Sequence, residues 1–140
     1  MSVHSLNRLI ELREREVERL NVEVANKRAV GDRYRRSLER MTALCEGSGA
    51  SAALPPALSL NCGNYKQAML GMVDLHRQDL ALHEADMAVS QRALDAAARK
   101  QEVFQQLLAR RQAQLLREHE SREQKRQDEL ATQVWWRGQR

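Results

Sequence analysis

From Asn64 to Val134 the chain runs without a proline, and its large apolar residues return every seventh position. Val73, Leu80, Met87, Leu94, Leu108 and Leu115 form one row, interrupted at Gln101. A companion row three or four residues away holds Met69, Ala97 and Phe104 together with His76, His83, Ser90 and Arg111. This spacing predicts one long helix with a coiled-coil seam. Asn64 is placed to cap its start, with Gln67 three residues later able to reach back. At about 1.5 Å per residue the helix would be roughly 105 Å long, so an elongated molecule is expected. The seam is half polar, which suits specific pairing better than maximal stability. Residues 117–129 contain nothing apolar and bring no seam of their own.

The same alternation of four and three occurs earlier, through Leu6, Ile10, Arg13, Val17, Leu20, Val24, Lys27, Gly31, Tyr34, Leu38, Met41 and Cys45. Residues 5–45 are therefore a first coiled-coil helix. Glycines and Pro55-Pro56 make residues 46–63 a connection. Two helices joined in this way fold back on each other. The expected fold is all-α: an antiparallel coiled-coil hairpin of helices 5–45 and 64–134 in a single domain, with a tail at 135–140. Pairing positions whose numbers sum to 110 or 111 sets Leu6 against Phe104, Val17 against Leu94, Val24 against Met87, Leu38 against Val73 and Met41 against Met69. It also sets Gly31 against Leu80, Tyr34 near His76 and Lys27 near His83. From about residue 108 the second helix would overshoot the N-terminus as an arm of roughly 40 Å.

A second apolar row on the same helix has no role in that pairing. Ala68, Met72, Leu75, Leu82, Val89, Ala96 and Val103 lie two positions from the first row, about 200° around the helix, so one partner helix cannot cover both. The row is either a docking face for another protein or the true face toward helix one.

Composition agrees with long helices. Charged residues make up 30% of the chain and aromatic residues 4%, too few large side chains for a conventional globular core. No apolar run reaches the roughly twenty residues of a membrane span, and the first residues lack the apolar core of a secretory signal. A cytosolic protein is expected. The net charge of +4 is unevenly placed. Residues 1–45 carry ten basic and seven acidic side chains and residues 108–140 eight and five, so both ends are basic while the middle is not.

Little in the sequence points to catalysis. His76 and His83 stand two turns apart, farther than two ligands of one metal normally sit, and read as seam histidines bonded across the coil. No metal or cofactor site is expected. Nucleophile elbow, phosphate loop and metalloprotease motifs are absent, and two paired helices offer no concave pocket, so the chain reads as a non-enzyme without a small-molecule substrate. Cys45 and Cys62 read as free thiols. Arg33-Tyr34-Arg35-Arg36 and Arg110-Arg111 suggest phosphate contacts. Carboxylates on neighbouring turns, such as Glu118 beside Arg122, instead read as a solvated helix face, and nucleic acid is not the expected partner. Trp135-Trp136, preceded by Leu130, Ala131 and Val134, is unusual on a polar arm and reads as a disordered tip or a docking point.

Two short stretches carry a family resemblance: Asn64-Tyr65-x-Gln67, and Gln124-Lys125-x-x-Asp128-Glu129-Leu130-Ala131 at the proper distance from it. With the heptads, they make nearly the whole chain resemble the FliJ family of flagellar type III export proteins. That resemblance implies a cytosolic, stalk-like coiled coil, peripheral to the cytoplasmic face of the inner membrane at the flagellar base. Its implied partners are a hexameric export ATPase, a membrane export gate protein and export chaperones, and it implies no catalytic residues. A virulence-type secretion stalk has the same shape, and a basic coiled coil binding nucleic acid is the alternative of a different class. Carried onto this chain, ATPase contacts fall on Arg13, Arg110, Arg111, Gln124, Lys125 and Asp128. Gate contacts fall on Ala68, Met72, Leu75 and Asp79. The proline-containing connection and the tryptophan pair depart from the family pattern.

Overall fold

The computed structural model describes residues 1–47 and 55–140 and consists of two helices, α1 (Val3–Gly47) and α2 (Pro56–Gly138). Part of the expected connection, residues 48–54, lies outside the described residues. Ser2 caps α1: its Oγ accepts from the Ser5 backbone N–H at 3.1 Å, and its carbonyl accepts the first turn bond from Leu6 at 3.0 Å.

The start of α2 corrects the sequence reading. The helix begins at Pro56, eight residues before Asn64, and Ser59 N–H donates to the Pro55 carbonyl at 2.9 Å. Proline is suited to the first helical position, where its missing N–H has no partner to lose and its φ is already helical. Asn64 is thus interior to α2 and caps nothing, and Gly63 is accommodated within a turn. At the other end the helix passes through Trp135 and Trp136 to Gly138, so these residues are not a separate tail.

By internal contacts the chain divides into two units, residues 18–96 and residues 1–17 with 97–140. In the unit of residues 18–96, α1 and α2 run antiparallel with Leu20, Val24, Gly31, Cys45, Val73 and Ser90 buried between them. In the other unit Leu6 and Ile10 are buried, against the half-buried Ala97, Phe104 and Leu108 of α2. All twelve seam positions named for the first helix are buried or half-buried. In α2 the less exposed positions follow the same four-three alternation from Ser59 to Arg111. The seam is therefore the expected one, His76, His83, Ser90 and Arg111 included.

The register differs from the expected one by about three residues. Tyr34 meets His76 and Lys27 meets His83, as the sum of 110 requires. Gly31, however, faces the His83 ring rather than Leu80, a sum of 114, and Lys27 reaches on to Asp86 and Ser90, sums of 113 and 117. In coiled coils each side chain enters a hole formed by four residues of the facing helix. Lys27 does this, and the sum of 110 marks one edge of its hole rather than the centre. Matching large apolar residues one to one selects that edge.

Candidate interaction surfaces

In the unit of residues 18–96, the polar positions of the seam are joined into one network. The Lys27 ammonium donates to Ser90 Oγ at 2.6 Å and pairs with Asp86 at 2.9 Å and Glu23 at 3.3 Å; the Ser90 hydroxyl in turn donates to Glu23 at 3.3 Å. The hydrogen bond to Asp86 holds the Lys27 proton above the usual lysine range; partial burial opposes it, and Glu23 adds to it. Two turns of α2 supply His83, whose Nε2–H donates to the Lys27 carbonyl at 2.7 Å, and His76, which does the same to the Tyr34 carbonyl at 3.2 Å. The Tyr34 ring lies against both imidazoles, with centroids 5.0 and 5.6 Å away. At the edge, Arg35 bonds Glu84 at 2.9 Å, and that bond, with Asp32 adding, raises its pKa.

These histidines satisfy carbonyls of the facing helix. Among the described residues no three His, Cys, Asp or Glu side chains gather as a metal would require. Cys45 is buried, Cys62 half-buried, and both are free thiols. No helix among the described residues is long and apolar enough to cross a membrane.

The second apolar row faces away from α1. Met72 is 52% exposed, Leu75 63% and Leu82 71%, and Ala68 and Asp79 are also exposed, whereas Val73, one residue from Met72, is 3% exposed. That contrast excludes the reading in which the row is the face toward helix one. Ala68, Met72, Leu75 and Asp79 therefore form one open strip along successive turns of α2.

In the unit of residues 1–17 and 97–140, the predicted contacts separate. Arg13 is a seam residue, its guanidinium 5.6 Å from the centre of the Phe104 ring. Arg110 and Arg111 rim an open notch of about 320 Å³ whose other walls are Met1, Leu6, Phe104, Leu107 and Gln114. Arg111 also bonds Gln114 at 3.1 Å. Sequence reading names the two arginines but misses Met1 and Leu107, because only the facing register brings them to one place. Beyond the notch α2 continues to Gly138 with no segment of α1 against it. Gln124, Lys125 and Asp128 are exposed there, and local bonds such as Gln114 to Glu118 at 3.0 Å and Arg122 to Glu118 at 3.9 Å run along the helix surface. The sequence model described as the flagellar FliJ protein matches residues 1–140, the whole chain. The chain belongs to the FliJ family. Membership makes it a component of flagellar type III protein export, a family of non-enzymatic export stalks. No curated protein and no solved structure gives a significant match.

Proposed function

We propose that this FliJ-family chain is the coiled-coil stalk that binds and activates the hexameric export ATPase and couples it to the export gate. It works in the cytoplasm, peripherally at the inner face of the membrane, and also passes export chaperones back for reuse. The observation that carries the ATPase contact is the stretch of α2 at residues 117–129, largely exposed, charged throughout, and with no segment of α1 against it among the described residues. A helix without an apolar face contributes nothing to a core, whereas a polar ring-shaped socket would receive it, with complementary charge steering the encounter. Arg110, Arg111, Gln124, Lys125 and Asp128 are the contacts, and Arg13 supports the root of the arm from the seam. The open strip of Ala68, Met72, Leu75 and Asp79 is the contact for the gate.

Deleting residues 117–140 tests the ATPase contact. Helicity per residue should stay nearly unchanged, because among the described residues no segment of α1 packs on the arm, while stimulation of ATP hydrolysis should disappear. Full stimulation by the truncated chain would refute the assignment.

A further inference from the structure

Residues 130–140 combine exposed apolar side chains with basic charge, and the ATPase reading does not require this combination. Leu130, Val134, Trp135 and Trp136 are all more than half exposed, the two indoles at 58% and 63%. At 3.6 residues per turn, Leu130, Val134, Ala131 and Trp135 share an arc of about 140°. Trp136 projects from the far side of that arc, its ring 5.7 Å from that of Trp135 and nearly perpendicular to it. Arg137 and Arg140 stand beside Trp136, with Thr132 and Gln133 completing an open hollow of about 380 Å³. Residues 130–140 contain no aspartate or glutamate.

We infer that this segment docks on an anionic lipid surface. Indoles favour the membrane–water boundary, where the ring is buried and the N–H stays wet, and arginines beside them meet phosphate headgroups. A protein groove receiving one helix face would cover the arc of Leu130 and Trp135 but leave Trp136 outside. A lipid boundary met end-on by the last turns of α2 surrounds the helix and accepts both rings. Charge complementarity comes from Arg137 and Arg140, with Lys125 and Arg126 about three to four turns further back; Asp128 and Glu129 sit between the two pairs. Such a short apolar arc gives reversible attachment that needs the charge as a second contribution.

Trp135 and Trp136 are the only tryptophans of the chain, so its tryptophan emission reports this segment alone. The full chain is titrated with vesicles of phosphatidylcholine, or of phosphatidylcholine with phosphatidylglycerol, and emission and co-sedimentation are followed. The expected result is a blue shift with the anionic vesicles, smaller with the neutral ones and reversed by added salt. Trp135→Ala with Trp136→Ala should abolish sedimentation, and Arg137→Gln and Arg140→Gln should each weaken it about fivefold. Unchanged emission at saturating anionic vesicles would overturn the inference and leave the pair to a protein partner. Sedimentation of the double alanine variant at the parental level would overturn it as well, by placing lipid binding elsewhere. ATPase stimulation by that variant without lipid tests the ATPase contact separately, so either reading can fail alone.

Discussion

Replacing Gly31 by alanine should stabilise the hairpin, although the position is buried in the seam. Three quantities decide the sign. Glycine in a helix interior costs about 1 kcal/mol relative to alanine, and the backbone here has no positive φ that alanine would resist. An added Cβ would stand 3.4 Å from His83 Cδ2 and 3.6 Å from Nε2, ordinary contact that fills space without forcing the ring aside. The bond at stake is that of His83 to the Lys27 carbonyl at 2.7 Å, and an alanine at this distance leaves it in place. A net gain of about 1 kcal/mol follows, or roughly 3–5 °C in Tm for a chain of this size. Gly31→Val reverses the sign, because branched methyls must displace the imidazole and leave the half-buried His83 Nε2–H without its acceptor, about 1–3 kcal/mol. Thermal unfolding followed by far-UV circular dichroism measures both variants. A lower Tm for Gly31→Ala, or equal effects of alanine and valine, would show that the His83 ring does not lie where the packing argument needs it.

Val24 and Ser90 stand one heptad along from Gly31 and His83, so Val24→Cys with Ser90→Cys should form an intrachain disulfide more readily than Val24→Cys with Met87→Cys, as read on non-reducing gels. Preference for the Met87 pair would restore the sum of 111, and bonding only between chains would reject the hairpin. Glutamates at Met72 and Leu75 should change thermal stability little and remove binding to the purified gate protein, whereas Val73→Glu should cost several kcal/mol through a buried unpaired charge. Collapse of helicity in the Met72, Leu75 double variant would mean the strip is core. Because the Lys27 pKa is raised on folding, its contribution is complete below the ordinary value of 10.5 and is lost as pH rises through the raised value. The urea midpoint of the parent should therefore fall more than that of Lys27→Met across this alkaline range; parallel curves would show that the Asp86 and Glu23 contacts do not form.

The seam was legible because period is a property of the chain itself: Leu6 to Cys45 and Met69 to Arg111 each declare one face whatever lies opposite. The open strip was legible for the same reason, since a row two positions away must point elsewhere. Register was not, because it depends on which holes the side chains enter. Lys27 among His83, Asp86 and Ser90 is a better-satisfied arrangement than apolar residues set head to head, and sequence matching rewards the latter. The notch of Met1, Leu107 and Arg110 inherits that blindness. The start of α2 was missed for a local reason: Pro55-Pro56 reads as a break, yet proline at the first helical position is a beginning.

The polar seam also explains how a pattern so repetitive selects one register. His76 and His83 recur at seven residues, as do Asp79 and Asp86, so sliding α2 by one heptad in that direction would return Lys27 to a histidine and an aspartate. Apolar matching opposes that slip only weakly, because heptad rows look alike after seven residues. The difference lies at the edge. Arg35, which bonds Glu84 at 2.9 Å, would face Arg77 after the slip, exchanging an attraction for a repulsion. Sliding the other way sets Lys27 against Ala93 in place of Asp86, leaving a half-buried ammonium short of a carboxylate. Each direction thus meets an electrostatic cost at a different residue, Arg35 in one and Lys27 in the other. The first is small, because the pair is half exposed and Arg28, now on Gln91, would meet Glu84. Polar residues that weaken a coiled coil in sum can still fix how its helices meet, the best-attested use of such groups. A one-heptad error would move α1 by about 10 Å along α2.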